Sequence, residues 1–299
     1  MLAVRRLSLV TVSVLVALAV AVPAAAQGKS GSAPGHNKNK KSTPPSSSSL
    51  PGATSAAATA SPLSTVTGAS PLSWLDDASL LEPGSVLLTI SGMRWSGADA
   101  SEVDIPVVDL SFGLTKRVQL SASVPRVAGS ADTGAVSGLG TSYFSGKIAL
   151  FPDSAVKLAV SPLFEVLGTS AAQSLPEGES RYQFGLPVSI DYGRGPARLF
   201  GAAGFFTRGA WFAGGGAGFQ LKPEMGTSVS FTRSWAPTDV EGVRRERSEL
   251  SGGVSYFLSE RIAVYGSLGH TIATTDENGA GMTVAAGVTF FFVPGGITK

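Results

Sequence analysis

The chain has 299 residues, of which 43% are hydrophobic and only 15% charged, with 37 Gly, no Cys and a formal net charge of +2. That length suits one large β domain or two small ones, and so little charge with so much glycine departs from an ordinary soluble enzyme. The absence of cysteine excludes a disulfide framework, a thiol catalyst and a thiolate metal site, and no basic stripe points to nucleic acid as a partner.

Residues 1–26 read as a signal peptide. Arg5 and Arg6 form its basic start, residues 7–22 its mostly apolar centre, and Ala24-Ala25-Ala26 an A-x-A cleavage site before Gln27. An uncleaved anchor is the alternative, but the apolar run is short for a spanning helix. Residues 27–80 form a low-complexity segment, first Lys/Asn/Gly, then Pro/Ser/Ala/Thr. It has too little apolar surface to offset the entropy of ordering and is expected to be a disordered spacer. Lys38, Lys40 and Lys41 could tether an anionic cell-wall polymer, although a plain solvated spacer explains them as well. Residues 1–70 carry six bases and no acid, which leaves −4 on the remainder against the whole-chain +2. Residues 74–81 are expected to form a short amphipathic turn or plug.

From Ser85 the pattern alternates almost without interruption. Residues 105–125 show it best: Val108, Leu110, Phe112 and Leu114 alternate with Asp109, Ser111 and Gly113, and after Thr115-Lys116-Arg117, Val118, Leu120, Ala122 and Val124 alternate with Gln119, Ser121 and Ser123. Each strand thus has one apolar and one small polar face, on matching sides of a hairpin. Strands are expected at 85–95, 104–114, 118–127, 139–151, 155–167, 181–192, 197–207, 209–221, 227–235, 249–258, 262–271 and 282–293. Their length matches the roughly 9–11 residues of a tilted membrane strand and exceeds the mode of about 5–6 in soluble sheets. No stretch outside the signal reaches the roughly 18 apolar residues of a spanning helix.

Short connections at 115–117, 152–154, 193–196, 222–226 and 259–261 alternate with longer ones at 97–103, 128–138, 168–180, 236–248 and 273–281; residues 207–209 break the rule. Outer-membrane barrels show this asymmetry of short periplasmic turns and long outer loops. Trp95, Phe151, Tyr192, Trp211, Trp235 and Phe292 lie near strand ends, where interfacial girdles would sit. The expected fold is all-β: a transmembrane antiparallel up-and-down barrel of about 12 strands over residues 81–293, followed by a tail, 294–299, with both termini in the periplasm. Its partners would be outer-membrane lipid and, during biogenesis, the barrel assembly machinery.

Phe112 to Pro125, FGLTKRVQLSASVP, resembles a recurrent hairpin in a family of bacterial outer-membrane transporter or porin barrels, some associated with the meta-pathway of phenol degradation. Leu81-Glu82-Pro83-Gly84 and Leu258-Ser259-Glu260-Arg261 are similar to the start and to a periplasmic turn of such barrels. The resemblance implies about twelve strands and passage of small, hydrophobic or aromatic solutes. Two features depart from it: residues 293–299 follow the aromatic end Phe290-Phe291-Phe292, and the low-complexity segment is not part of the family pattern.

No catalytic constellation stands out, and no cofactor or metal is expected. His36 falls in the spacer and His270 near a strand end. Gly138-x-Gly140 and Gly214-Gly215-Gly216-x-Gly218 lack the following helix of a phosphate loop and read as small strand residues. Asp276-Glu277-Asn278 is a weak Ca²⁺ candidate better read as a solvated turn, and Arg244-Arg245-Glu246-Arg247 a solvated loop. The informative positions face inward: Asp109, Lys147, Lys157, Glu165, Arg181, Gln183, Asp191 and Glu249 are the lumen-lining candidates. Such charges either select solutes along a wet path or pair across a narrow lumen and hold it together. The functions to separate are passive solute passage, a non-conducting anchoring barrel and, remotely, an outer-membrane hydrolase.

Overall fold

The computed structural model describes residues 78–97, 101–131, 134–151, 155–168, 180–207, 209–235, 246–274 and 280–293. The signal peptide, the spacer up to residue 77, Trp74, His36, Arg244, Arg245, Asp276-Glu277-Asn278 and the tail 294–299 lie outside the described residues.

Twelve antiparallel strands close into a barrel. They are β1 (Val86–Gly97), β2 (Ser101–Thr115), β3 (Val118–Ala131), β4 (Gly134–Leu139 and Ser142–Ala149), β5 (Val156–Val160 and Leu163–Val166), β6 (Tyr182–Gly185 and Val188–Arg194), β7 (Ala197–Phe205), β8 (Trp211–Lys222), β9 (Met225–Trp235), β10 (Glu246–Ser259), β11 (Ile262–Thr274) and β12 (Gly281–Phe292). Each strand pairs with the next, and β12 returns to β1 in unbroken register from Val86 opposite Phe292 to Gly97 opposite Gly281. Closure leaves no sheet edge, which is the condition for a sheet to stand in lipid.

The faces follow the sequence alternation. On β2 and β3, Val108, Leu110, Phe112, Leu114, Leu120 and Val124 are exposed on the outside while Ser111, Gln119, Ser121 and Ser123 are buried within. On β6, Tyr182, Phe184, Leu186, Val188, Ile190 and Tyr192 face out and Ser189 and Asp191 face in. Exposed large apolar side chains on the outer face with hydroxyls and charges inside invert the arrangement of a soluble core. Only hydrocarbon solvates such a surface without cost, so the barrel is a membrane-spanning one.

Some expectations need correction. The connection expected at 128–138 is instead a β-ladder: β3 and β4 stay paired from Arg126 opposite Leu139 to Ala131 opposite Gly134. Both sides are rich in Ala, Gly, Ser and Val, residues that an antiparallel ladder accepts. Trp95 is not a girdle residue. It is 1% exposed and lies on the inner wall, packed on Gly97 and Gly281; a Cβ on Gly281 would stand 2.6 Å from the indole nitrogen. Phe151, Tyr192, Trp211 and Phe292 are exposed at strand ends. Three neighbouring strands are broken: β4 at Gly140-Thr141, β5 at Ser161-Pro162 and β6 at Leu186-Pro187. Pro162 and Pro187 have no N–H for the ladder, and the chain compensates with bonds from Ser161 N to Pro187 O (2.9 Å) and Gly146 N to Pro162 O (3.1 Å).

Candidate functional site

The short turns and the start of β1 share one end of the barrel, here the turn end; the other is the loop end. At the turn end the chain enters the lumen before it becomes a strand. Residues 82–85 turn against β2: Ser85 N donates to Glu82 O (3.0 Å), Gly84 N to Gly113 O (2.7 Å) and Gly113 N to Ser85 O (2.9 Å). Gly113 is required there, because a Cβ on it would lie 2.1 Å from the Glu82 carbonyl oxygen. Leu81 is buried on Leu87, Ala263 and Phe291, with Phe257 beside it, and its N–H donates to Gln119 Oε1 at 2.8 Å. Two residues earlier, Ser79 reaches the opposite wall, where its contacts come from β4 to β7. Two residues of extended chain span only about 7 Å, less than the width of a twelve-stranded barrel. Long side chains fill the remainder: Phe257 and Phe291 on one side, Lys147, Lys157 and Arg198 on the other.

Those cations form the site. Ser79 Oγ donates to Asp191 Oδ2 at 3.0 Å. Lys147 Nζ donates to the Ser79 carbonyl at 3.3 Å, and Lys157 Nζ and Arg198 Nη2 each donate to Ser79 Oγ at 3.4 Å. Arg198 also grips Asp191: Nε reaches Oδ1 at 3.0 Å and Oδ2 at 2.8 Å, and Nη2 meets Oδ2. Strand geometry makes the group possible, because Lys157 stands opposite Asp191 on the β5–β6 ladder, and Lys147 opposite Gln119 on β3–β4. Lys147 is 2% exposed, Asp191 4%. A buried ion cluster repays its desolvation only where its lone pairs and protons find partners, and the forked Arg–Asp pair provides the most favourable such geometry.

The structure therefore brings Lys147, Lys157 and Asp191 together and leaves the other candidates apart. Asp109, half-buried on β2, accepts from Ser123 Oγ at 2.5 Å. Glu165 and Gln183 face each other across β5–β6 and are hydrogen-bonded. Arg181 is exposed and donates to the Leu167 carbonyl at 3.1 Å. Glu249 pairs with Arg247, two residues away on β10, at 2.8 Å. Sequence reasoning missed Arg198, Ser79 and the acids Glu102 and Asp104, which are buried on β2, and it took Arg247 for a solvated loop residue, whereas Arg247 is buried on β10 beside Glu249. It also missed an apolar cluster inside the lumen, where Tyr143, Leu163, Ala202, Phe206 and Phe212 pack together.

Comparison with known proteins agrees with this geometry. Among solved structures, the COG4313 outer membrane channel from Pseudomonas putida F1 superposes with a TM-score of 0.55 at 17% identity, covering 72% of this chain and 98% of that one. The shared fold is a closed twelve-stranded antiparallel β-barrel. The NanC porin superposes with a TM-score of 0.50 at 11% identity, covering 68% of this chain and 98% of that one. No protein-family model and no curated protein matches the sequence. These two neighbours are a channel and a porin by name, and the likeness is one of fold.

Proposed function

We propose that the chain is a channel of the outer membrane that passes small solutes by diffusion, without a catalytic step. The observation that carries this reading is the inverted barrel itself, apolar outside and lined by hydroxyls, amides and ions inside, a lining suited to water and solute rather than to a packed core. The apolar cluster at Tyr143, Leu163, Phe206 and Phe212 on the inner side of the wall supports small hydrophobic compounds as the solutes. Lys147, Lys157, Asp191, Asp109, Glu165, Gln183, Arg181 and Glu249 then divide between tuning the path and holding the wall. The turn end faces the periplasm, with the spacer on that side; the sequence pattern extends it over residues 27–80, but Ala78 and Ser79 are already buried in the barrel. A second reading is a non-conducting anchor whose spacer engages cell-wall polymer. The residues that favour it are Ser79 and Leu81, since a segment held across the lumen by hydrogen bonds narrows the path.

Conductance of the purified full-length protein in planar bilayers separates the two. Discrete single-channel currents are expected from the wild type, larger after Ser79→Gly and Leu81→Ser loosen the floor. Silence from both forms, in protein that shows heat-modifiable migration on gels, would establish the anchor.

A further inference from the structure

The contacts of Ser79 are unusual for a serine. A neutral residue presents two oxygens, its carbonyl and its hydroxyl, to two ammonium groups and a guanidinium. The distances of 3.3, 3.4 and 3.4 Å lie at the long end of the hydrogen-bond range. The same donors reach about 2.7–2.9 Å when they meet a carboxylate. The lumen thus has a place for two oxygens, rich in positive charge, filled by a weak acceptor. Asp191 shares this place, but its carboxylate is engaged by the fork of Arg198, and Ser79 Oγ gives it a proton at 3.0 Å.

We propose that the Ser79 cradle, formed by Lys147, Lys157 and Arg198 around Asp191, is a binding subsite for small monocarboxylates, occupied here by the chain's own serine. The proposal rests on the channel reading and gives it a solute class. A carboxylate entering the floor replaces the Ser79 carbonyl on Lys147 and the Ser79 hydroxyl on Lys157. It makes charge-assisted bonds in place of neutral ones. The displaced Ser79 leaves with the segment that precedes β1, so carboxylate binding and opening of the floor are linked. The segment acts as an internal competitor: apparent affinity is lowered by the fraction of molecules in which Ser79 is docked.

The test is titration calorimetry on the full-length protein in detergent, with sodium butyrate as probe and butyramide as its uncharged counterpart. Saturable binding of butyrate, weakening as KCl is raised, with no binding of butyramide, is expected. Lys147→Gln/Lys157→Gln should weaken binding by about tenfold or more, since each lysine supplies a hydrogen bond to a charged group. Ser79→Gly should tighten it several-fold by removing the competing hydroxyl, an effect that a purely structural role for Ser79 would not produce. If the double variant fails to fold, Lys157→Gln alone, at a half-buried position, should still weaken binding measurably. Equal binding of butyrate and butyramide, no butyrate binding by either wild type or Ser79→Gly, or unchanged affinity in the folded lysine variants would each overturn the proposal. Calorimetry needs no current, so loss of the subsite and loss of the channel reading are seen separately: a conducting barrel that ignores butyrate removes the first alone.

Discussion

The β4–β6 wall and the β9–β12 wall of the same barrel are built by different means. From β9 to β10 the ladder runs through eleven successive pairs without a shift, Met225 opposite Tyr256 to Trp235 opposite Glu246. Much of the inner face of β9–β12 is small hydroxyls: Ser230, Thr232, Ser251, Ser255, Ser267, Thr283 and Thr289 are buried there. Across β4–β6 each strand is interrupted, and the inner face carries Lys147, Lys157, Glu165 and Asp191. On the lipid side of that sector Phe164 packs against Phe144, Tyr182 and Phe184, with ring centroids 6.5, 5.4 and 5.2 Å away. Where the ladder runs without a shift, as between β9 and β10, the buried inner residues are mostly small hydroxyls, and the Arg247–Glu249 ion pair stands near the end of that wall. Where prolines remove ladder bonds, ion pairs inside and aromatic contacts outside take over part of the cohesion, and the functional groups gather in that sector.

The largest effect expected from a single change is on the ion cluster. Asp191→Asn keeps the shape but leaves Arg198 without its carboxylate partner, a loss of about 3–5 kcal/mol. Urea-dependent folding into lipid vesicles measures it, and a loss below about 1 kcal/mol, the range of a surface pair, would show that the broken sector does not depend on its ions. Second in size is a charge on the lipid face of the regular sector. Val229 is exposed near mid-strand on β9, and Val229→Arg should cost about 2–4 kcal/mol in vesicles. The same substitution would be nearly neutral if this face met water.

The contrast between the walls was partly legible in the sequence, for physical reasons that differ by residue. Period-two alternation exposes the lipid face whenever the inner residues are small or polar, as on β2, β3 and β6, so strand number and closure could be read directly. Arg198 was within reach of the same logic, because Leu199 beside it faces out. On β1 the signal fails: Leu87, Met93 and Trp95 are buried inside while Ile90 is exposed outside, so both faces are apolar. Leu81 covers Leu87 at one end and the glycines Gly97 and Gly281 receive Trp95 at the other, and Ser79 and Leu81 belong to no strand whose period could reveal them. The ion cluster has members from four strands plus the entering segment, a long-range arrangement that alternation cannot encode. The breaks at Pro162 and Pro187 were visible as residues, but their adjacency depends on register.

A third change addresses the outer staple. Phe164→Ala removes three ring contacts at once; at about 0.5–1.5 kcal/mol for each aromatic pair, with weaker contribution from the tilted 6.5 Å pair, a loss of about 2 kcal/mol is expected. Hydrogen exchange should locate it: amides of β4–β6 should exchange faster in the variant while those of β9–β11 keep their protection. Equal acceleration in both walls would mean that the barrel opens as one unit and that the sectors are not separately held.

The smallest effect tests the quiet wall. Ser230 and Ser251 share a hydrogen bond of 2.9 Å across the β9–β10 ladder. Ser251→Ala takes from the buried Ser230 hydroxyl its partner in this bond, which costs about 1 kcal/mol. Removing both, in Ser230→Ala/Ser251→Ala, takes away donor and acceptor of this bond together, so the double variant should lose at least about 0.5 kcal/mol less than the sum of the single losses, a non-additivity expected of residues in direct contact. A double-mutant cycle in urea measures this. If the two losses simply add, the hydroxyls serve water in the lumen rather than each other, and the regular wall is part of the solute path instead of its inert support.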